Sequence, residues 1–361
     1  MSSRKEIRSA YLEWAKLHSG AKYNLATSGL DGFPLAQLPV RIEDLEISIG
    51  GSYGYPALQE RLAKKNGVPV ECVVAANGTS MANHLAMAAL LDPGNEVLIE
   101  QPVYDPLLTV AQYLGANVRR FPRHFEKGFV LDPQEVEKAI TSRTRLVVIT
   151  NLHNPTGARA TDAQLRTIGD IAEKRGAYVL VDEVYLDACF DPNSRSAFHL
   201  GGNFIIASSL TKAFGLSGLR CGWVLAPPSL AERMWRINDL YGVIPAHVAE
   251  LLSVIALDHL EKIADYARTR LQANRPILQK FLDSRRDLAA IPASGTTAFP
   301  RLASGKVDAL CHLLREKYET SVVPGRFFEL PNHFRIGIGG KTELLQEGLR
   351  RLGHALDELH P

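Results

Sequence analysis

The chain has 361 residues, with 41 Lys and Arg against 39 Asp and Glu and a formal net charge of +2. This length suits two modest domains or one large α/β core with an appendage. The balanced charge disfavours a nucleic-acid-binding or membrane-surface protein, because both classes need a basic face. Four cysteines, with no C-x-x-C pair and no metal-ligand spacing, are typical of free thiols in a reducing compartment.

Targeting and membrane signals are not predicted from the sequence. The N-terminal residues carry mixed charges and contain no apolar signal-peptide core. No apolar run approaches the roughly 20 residues of a membrane span. We therefore expect a cytoplasmic protein without a membrane segment.

Alternating short strands and helices dominate the first two thirds of the chain. An amphipathic helix is predicted at 3–17, and a turn-rich loop at 51–56 precedes a helix at 57–66. Strands are predicted at 73–76, 96–100, 117–121, 145–150, 178–181 and 204–207, and helices near 80–91, 105–114, 133–140 and 161–175. This alternation predicts a largely parallel sheet covered by helices on both faces.

The pattern changes after about residue 228. Long helices are predicted at 229–240 and 246–283, the second kinked at Pro276 because proline removes a helical hydrogen bond. A strand-rich section at 290–340 and a final helix at 341–358 follow. These elements predict a second, smaller α+β domain.

One group of residues at the predicted strand ends suits a phosphate, since ligands of open parallel sheets bind at the carboxyl ends of strands. Gly78, Thr79 and Ser80 begin a helix, whose N–H groups and dipole favour an anion. Ser209 and Arg220 add a hydroxyl and a bidentate cation after the strand at 204–207. Taken alone, the helix start is more typical of an ordinary N-cap.

A second group suits an aromatic ring that carries an aldehyde. Tyr104 could stack on a flat ring, while Asn154 and Tyr185 could bind a ring hydroxyl. Asp182 ends a buried strand and needs a partner such as a protonated pyridine nitrogen, because an unpaired buried carboxylate is costly. Lys212 is suited to the aldehyde.

Each of these residues also has an ordinary structural explanation: a rim tyrosine, a tight turn, a paired aspartate or a solvated lysine. Their convergence on one phosphorylated pyridine aldehyde favours a functional site. His153, next to Asn154, is interpreted as structural.

Three motifs carry a resemblance to a known family: Asn154-Pro-Thr-Gly157, Asp182-Glu-Val-Tyr185, and Ser209-Leu-Thr-Lys212 followed by Arg220. In this order and spacing the chain resembles the class I/II aminotransferases, pyridoxal-phosphate enzymes of fold type I. The resemblance implies an α/β fold: a large domain with a mostly parallel seven-stranded sheet covered by helices on both faces, and a smaller α+β domain. The implied divisions are an N-terminal arm (1–35) belonging to the small domain, a large cofactor domain (36–240) and a small C-terminal domain (241–361).

The resemblance also implies roles for individual residues. Lys212 would be the Schiff-base lysine, Asp182 the partner of the ring nitrogen, and Tyr185 and Asn154 the partners of the ring hydroxyl. Arg335, in Phe334-Arg-Ile-Gly-Ile-Gly339, would bind the substrate α-carboxylate, which Gly29 and Asn154 would face. The remaining cofactor contacts would come from Gly78, Thr79, Ser80, Tyr104, Ser209 and Arg220.

The resemblance further implies a homodimer with shared active sites, in which a tyrosine of one subunit reaches the cofactor phosphate bound by the other subunit. Tyr53 or Tyr55 would fill that role, with Tyr53 preferred. Tyr23, Tyr55 and Phe299 are candidate walls of the substrate pocket, and no second arginine for a distal carboxylate can be assigned. No metal ligand is expected.

The predicted function is transfer of an amino group between an L-amino acid and a 2-oxo acid. A carbon–sulfur β-lyase or an amino-acid cyclase of the same fold would use the same cofactor contacts and remains an alternative. A non-catalytic effector-binding module is disfavoured, because the roughly 35 residues before the fold are too few for a helix-turn-helix domain and no basic stripe is present. The sequence leaves the substrate open.

Overall fold

The computed structural model describes residues 6–359. In this part of the chain the strands are β1 (Tyr23–Asn24), β2 (Val73–Asn77), β3 (Glu96–Gln101), β4 (Asn117–Pro122), β5 (Thr144–Thr150), β6 (Tyr178–Asp182), β7 (Phe204–Ser209), β8 (Cys221–Leu225), β9 (Leu288–Ala289), β10 (Thr297–Ala298), β11 (Arg301–Leu302), β12 (Thr320–Ser321), β13 (Val323–Pro324) and β14 (Phe334–Gly337). The helices are α1 (Ala10–Leu17), α2 (Pro56–Asn66), α3 (Gly78–Leu90), α4 (Asp105–Tyr113), α5 (Pro133–Ala139), α6 (Asp162–Glu173), α7 (Pro228–Asn238), α8 (His247–Asp258), α9 (Leu260–Asp283), α10 (Val307–Tyr318) and α11 (Thr342–Leu359). None of these helices is long and apolar enough to cross a membrane.

A seven-stranded sheet forms the centre of the fold, in the order β2-β8-β7-β6-β5-β3-β4. Pairing is parallel along β7-β6-β5-β3-β4, and β8 is antiparallel to both of its neighbours. The central strands β5, β6 and β7 are apolar along most of their length because helices cover both faces of the sheet. The predicted α/β class and the mostly parallel sheet are confirmed.

The strand β8 was not among the strands predicted from local pattern. It is preceded by the glycine-rich stretch that follows Lys212, and Pro227 lies shortly after it. Its five residues therefore resemble a continuation of the preceding loop. Its antiparallel direction brings Arg220, just before it, back to the start of α3. The site therefore depends on a strand that the alternation of the other six does not reveal.

Helix boundaries in the C-terminal third differ from the prediction. The predicted helix at 246–283 is two helices, α8 and α9, which are separated at His259, while Pro276 lies inside α9. No glycine or proline lies at this break, so tertiary packing sets it. The section at 290–340 also contains α10, whose buried Val307, Leu310 and Leu314 have the spacing that predicts a helix.

The N-terminal segment joins the C-terminal part of the fold. Strand β1 pairs in parallel with β12, and β14 is the middle strand of a three-stranded sheet with β10 and β13. Helix α1 begins at Ala10, later than the predicted residue 3, because the Ser9 side chain caps it by accepting a hydrogen bond from the Leu12 N–H. Residues 3–5 of that predicted helix lie outside the described residues.

Candidate functional site

The N-terminus of α3 and the residue Arg220 form one wall of the site. Gly78 has φ of +74°, and a Cβ there would overlap the Arg220 guanidinium. A Cβ on Gly222 would likewise overlap the Gly78 backbone. The two glycines therefore allow β2 and β8 to end against each other, with Arg220 beside the first turn of α3.

Three buried hydroxyls lie at the same end of the sheet. Thr79 Oγ1 donates to Ser209 Oγ over 2.8 Å, and Ser209 Oγ is 2.7 Å from Thr211 Oγ1. Ser80, in the first turn of α3, is exposed. Arg220 contacts only backbone carbonyls, and it has no acidic partner within residues 6–359. A helix N-terminus, neighbouring hydroxyls and a guanidinium without an acidic partner form a ligand set that suits a phosphate. Thr211 was absent from the predicted set.

Replacing Gly78 by alanine is expected to weaken cofactor binding at least about tenfold, because the side chain adds an overlap with Arg220 to the backbone cost of roughly 1 kcal/mol at positive φ. Titration of the cofactor-free variant with pyridoxal phosphate measures this. Gly94→Ala is the matched control: Gly94 has φ of +90° and nothing within 4 Å of the added Cβ, so only stability should fall. Equal cofactor affinity in the two variants would contradict this assignment.

Asp182, at the end of β6, is a buried carboxylate with an oriented pair of oxygens. Its Oδ2 accepts from Asn83 Nδ2 over 2.7 Å, and its Oδ1 accepts from the Val184 N–H over 3.1 Å. Burial raises the pKa of Asp182 to about 6, against the opposing effect of these hydrogen bonds and of Lys212. A cationic partner would restore the ionised form.

Asn83 is not among the site residues that the sequence predicts. It lies on α3, 99 positions before Asp182, so no local motif contains both residues. The available signal was its position four residues after Thr79, which puts both side chains on one helix face. A polar residue on a buried helix face needs a partner.

Tyr185 and Asn154 lie on the side of the site that faces Ser28 and Arg335. The Tyr185 hydroxyl donates to Ser28 Oγ over 2.7 Å, and burial raises the pKa of Tyr185 to about 12. The phenol therefore keeps its proton at neutral pH. Asn154 Oδ1 accepts from Arg335 Nη1 over 2.9 Å.

His153 hydrogen-bonds within the fold, as expected for a structural residue. Its Nδ1 is 2.7 Å from Thr156 Oγ1, and its Nε2 is 3.0 Å from the Pro102 carbonyl. Burial holds the pKa of His153 well below its usual value, so the ring is neutral. These contacts fix the turn that carries Asn154.

Lys212 follows β7 and lies against Gly29. A Cβ on Gly29 would be 3.3 Å from Lys212 Cδ, and the Leu30 N–H donates to the Lys212 carbonyl over 3.0 Å. Burial, with help from Arg335 and Arg220, lowers the pKa of Lys212 to about 8, whereas Asp182 opposes this shift. Within residues 6–359 the amine forms no ion pair, which suits a lysine that is used chemically.

Arg335, on β14, is completely buried and lacks an ion-pair partner within the described chain. Its Nη1 donates to Asn154, and its Nη2 donates to the Tyr11 hydroxyl over 2.8 Å and to the Ala26 carbonyl over 3.0 Å. Its Nε has no acceptor among residues 6–359. A buried guanidinium with only neutral partners is suited to a carboxylate ligand.

The aromatic residues of the predicted site occupy different environments. Tyr104 is the N-cap of α4 and makes an edge-to-face contact with Tyr11, with 5.6 Å between ring centroids. Phe299 stacks on His333 within a buried aromatic cluster, and Tyr23 lies beneath Arg351 of α11. The contacts of Phe299 and Tyr23 are therefore packing contacts.

The two tyrosines proposed to cross to a partner lie away from Lys212 in the same chain. The Tyr53 hydroxyl donates to Asp239 over 3.2 Å, and Tyr53 is 52% exposed. Tyr55 is half-buried, with its ring edge-on to His247. In residues 6–359 neither hydroxyl hydrogen-bonds a residue of the Lys212 site.

Together these residues fit pyridoxal phosphate. Arg220, the start of α3 and the Ser209 hydroxyl could hold the phosphate. Asp182 could hold a protonated ring nitrogen, and Lys212 has the amine that an aldehyde requires. Among residues 6–359, Arg220, Lys212 and Arg335 form no ion pair, and this cofactor and a carboxylate substrate would bring the opposite charges.

Comparisons with known proteins agree with this geometry. A family model described as aminotransferase class I and II matches residues 46–352. Capreomycidine synthase of Streptomyces vinaceus is 30% identical, over 93% of this chain and 90% of that protein. A probable aspartate/prephenate aminotransferase of Aquifex aeolicus is 28% identical, over 84% of this chain and 81% of that protein. The crystal structure of a PLP-dependent aminotransferase from Streptococcus suis has a TM-score of 0.93 at 27% identity and covers 99% of each chain.

Proposed function

The chain belongs to the class I and II aminotransferase family, and we propose that its pyridoxal-phosphate-dependent amino transfer is carried out by Lys212, Asp182 and Arg335. The enzyme moves an amino group between an amino acid and a 2-oxo acid. The observation that carries the residue assignment is the position of the Lys212 amine: it lies near Asp182 and Arg335, forms no ion pair within residues 6–359, and has a pKa that burial lowers to about 8.

The roles follow from the contacts of each side chain. Bound pyridoxal phosphate supplies an aldehyde that reacts with amines and a ring that accepts electrons when a Cα–H bond breaks. Asp182 holds a proton on the ring nitrogen, while Asn83 and the Val184 N–H fix its carboxylate. Lys212 takes the proton from Cα and returns it, and its lowered pKa provides the neutral amine near physiological pH. Arg335 orients the substrate carboxylate and so directs the Cα–H bond toward Lys212.

The direct test of the reaction is incubation of the loaded enzyme with each L-amino acid and no 2-oxo acid. Amino transfer converts at most one equivalent of cofactor per site to its amine form and then stops. Addition of 2-oxoglutarate or pyruvate restarts it. An enzyme that forms no amine form of the cofactor with any donor would contradict the proposal.

A second candidate function is cyclisation or β-elimination on the same cofactor. It is favoured by the 30% identity to capreomycidine synthase over 93% of the chain, because that relative is named as a synthase and not as an aminotransferase. The incubation above separates the two functions. Continuous product formation from one amino acid without a 2-oxo acid indicates this second chemistry.

The active enzyme is proposed to be a homodimer with shared sites. Exposed apolar side chains concentrate in two segments, 42–53 and 240–243, and include Ile47 at 89% and Leu240 at 79% exposure. The hydrogen bond from the Tyr53 hydroxyl to Asp239 links the first segment to the residue directly before the second. A cavity of about 430 Å³ lies between the second of these segments and Arg220, and its lining includes Asn77, Arg220 and Tyr241. A second copy would bury this face.

Sedimentation analysis tests the dimer, and two variants test the crossing tyrosine. If Tyr53 reaches the partner's phosphate, Tyr53→Phe weakens cofactor binding several-fold and Tyr55→Phe does not. The reverse result assigns the role to Tyr55. A monomer with full activity would overturn the shared site.

The proposed domain division is 1–35, 36–240 and 241–361. It is supported by the pairing of β1 with β12, which joins the N-terminal arm to the C-terminal section.

A cytoplasmic location is proposed because Cys72, Cys189, Cys221 and Cys311 are all free thiols. Limited proteolysis and fractionation of the producing cells test these two proposals.

A further inference from the structure

The N-terminal helix α1 places Tyr11 at the buried guanidinium of Arg335. The Tyr11 oxygen accepts from Arg335 Nη2 over 2.8 Å, and the two residues are 324 positions apart in the chain. Arg335 Cζ lies 5.4 Å from the Tyr11 ring centroid. Within residues 6–359 the Tyr11 hydroxyl proton has no acceptor, so this hydroxyl retains an unused donor beside the guanidinium.

The hydrogen bonds of Arg335 limit how a carboxylate can bind. A guanidinium offers two edges to a bidentate carboxylate, and both use an N–H of Nη2, because Cδ blocks the third edge. Both N–H groups of Nη2 have acceptors, Tyr11 Oη and the Ala26 carbonyl. One of these two acceptors must therefore yield when a carboxylate binds.

The Ala26 carbonyl belongs to a fixed segment. The Leu25 N–H donates to the Ser321 carbonyl, and the Leu25 carbonyl accepts from the Gly337 N–H. The Ala26 N–H donates to the Asn24 side-chain oxygen. The Tyr11 hydroxyl is instead the end of a side chain on a short helix. It can give up this contact by a small shift of one side chain, without breaking a backbone hydrogen bond, and is therefore the acceptor that yields.

Helix α1 is held so that Tyr11 stays near Arg335. Ser9 Oγ and the Tyr11 N–H both donate to Asp105 Oδ2, the Tyr11 contact at 3.4 Å. Asp105 begins α4, directly after Tyr104, whose ring contacts Tyr11 edge-on. The start of α4 thus anchors the helix that carries Tyr11.

We propose that Tyr11 is a further substrate-binding residue, which yields Arg335 Nη2 to the substrate α-carboxylate and donates its own proton to that carboxylate. This inference rests on the proposed role of Arg335. Tyr11 adds a third donor to the carboxylate beside the two N–H groups of the guanidinium. Amines without a carboxylate gain nothing from it.

Tyr11→Phe keeps the ring packing and removes only the hydroxyl. In the free variant, water can replace the lost phenol oxygen as the acceptor for Arg335 Nη2, so the ligand-free site loses little stability. In the complex, the bound carboxylate lacks one hydrogen-bond donor. We expect the Kd of propionate for the loaded enzyme, measured by calorimetry, to rise about tenfold, as for loss of one charge-assisted hydrogen bond. The Kd of propylamine, which has no carboxylate, should change less than twofold.

Tyr113→Phe, at the exposed end of α4, is the matched control and should change neither Kd. A propionate Kd in Tyr11→Phe within twofold of wild type, or equal weakening of propionate and propylamine, would overturn the role of Tyr11. Arg335→Lys separates the premise from the inference. If this variant also leaves propionate binding unchanged, the assignment of Arg335 itself fails; if it weakens propionate while Tyr11→Phe does not, only Tyr11 is excluded.

Discussion

Replacing Lys212 by alanine is expected to lower the rate of the first half-reaction, from amino acid to the amine form of the cofactor, by at least about 10³-fold. Positioned proton transfer alone contributes roughly 10² to 10⁴ in rate, and the variant also loses the attachment of the cofactor. Stopped-flow absorbance under single-turnover conditions measures this rate. Cofactor affinity should fall less, because Asp182, Arg220 and the start of α3 remain.

Lys65→Ala is the matched control for this variant. Lys65 is another half-buried lysine, but it pairs with Asp187 over 3.1 Å and lies over the Trp223 ring, away from Gly29. Its removal should leave the half-reaction within a few-fold of wild type. A Lys212→Ala enzyme that matches the control would remove Lys212 from the mechanism.

Replacing Asp182 by asparagine is the second large effect and should cut the half-reaction by roughly 10² to 10³-fold, equivalent to about 3–4 kcal/mol of transition-state stabilisation. Asparagine keeps the size and the contact to Asn83 but cannot hold a proton on the ring nitrogen by charge. Cofactor affinity should change less than tenfold. Parallel titration and stopped-flow measurements separate the two quantities.

Asn83→Leu is an informative companion to this variant. It removes one of the two hydrogen bonds that orient the Asp182 carboxylate, so an intermediate loss of rate is expected. The opposite pattern, in which Asp182→Asn abolishes cofactor binding while bound sites retain the full rate, would make Asp182 a purely structural residue.

The residues that the sequence predicts best are those that lie in short motifs at strand ends. Asp182 ends β6, and Asn154 and Lys212 lie in the loops that follow β5 and β7, so local pattern and sheet geometry together indicate their common location. The same argument indicates the start of α3, because it follows β2 directly.

The residues that the sequence did not reveal are brought in by contacts across long sequence separations. Tyr11 reaches Arg335 only because α1 is anchored to Asp105, and Asn83 reaches Asp182 only because α3 packs beside β6. Ser28 meets Tyr185 across 157 positions. Side-chain spacing within one element can place a residue such as Asn83 on a buried face, but it does not identify the distant partner. The break at His259 also depends on tertiary packing.

The site departs from what stability alone would favour. Arg335 is fully buried and has no acidic partner in the part of the chain that the structure describes. Burial raises the pKa of Asp182 to about 6 and lowers that of Lys212 to about 8. Such uncompensated groups destabilise a fold and are retained where function requires them. Cofactor and substrate carboxylate would supply the missing charges, so we expect both ligands to raise the melting temperature.

Borohydride reduction of the loaded enzyme, followed by peptide mass mapping, directly tests the attachment of the cofactor to Lys212. We expect one modified lysine per chain, Lys212, in the peptide that contains Ser209. Modification of any other lysine in its place, or no stable modification of a fully loaded enzyme, would contradict it.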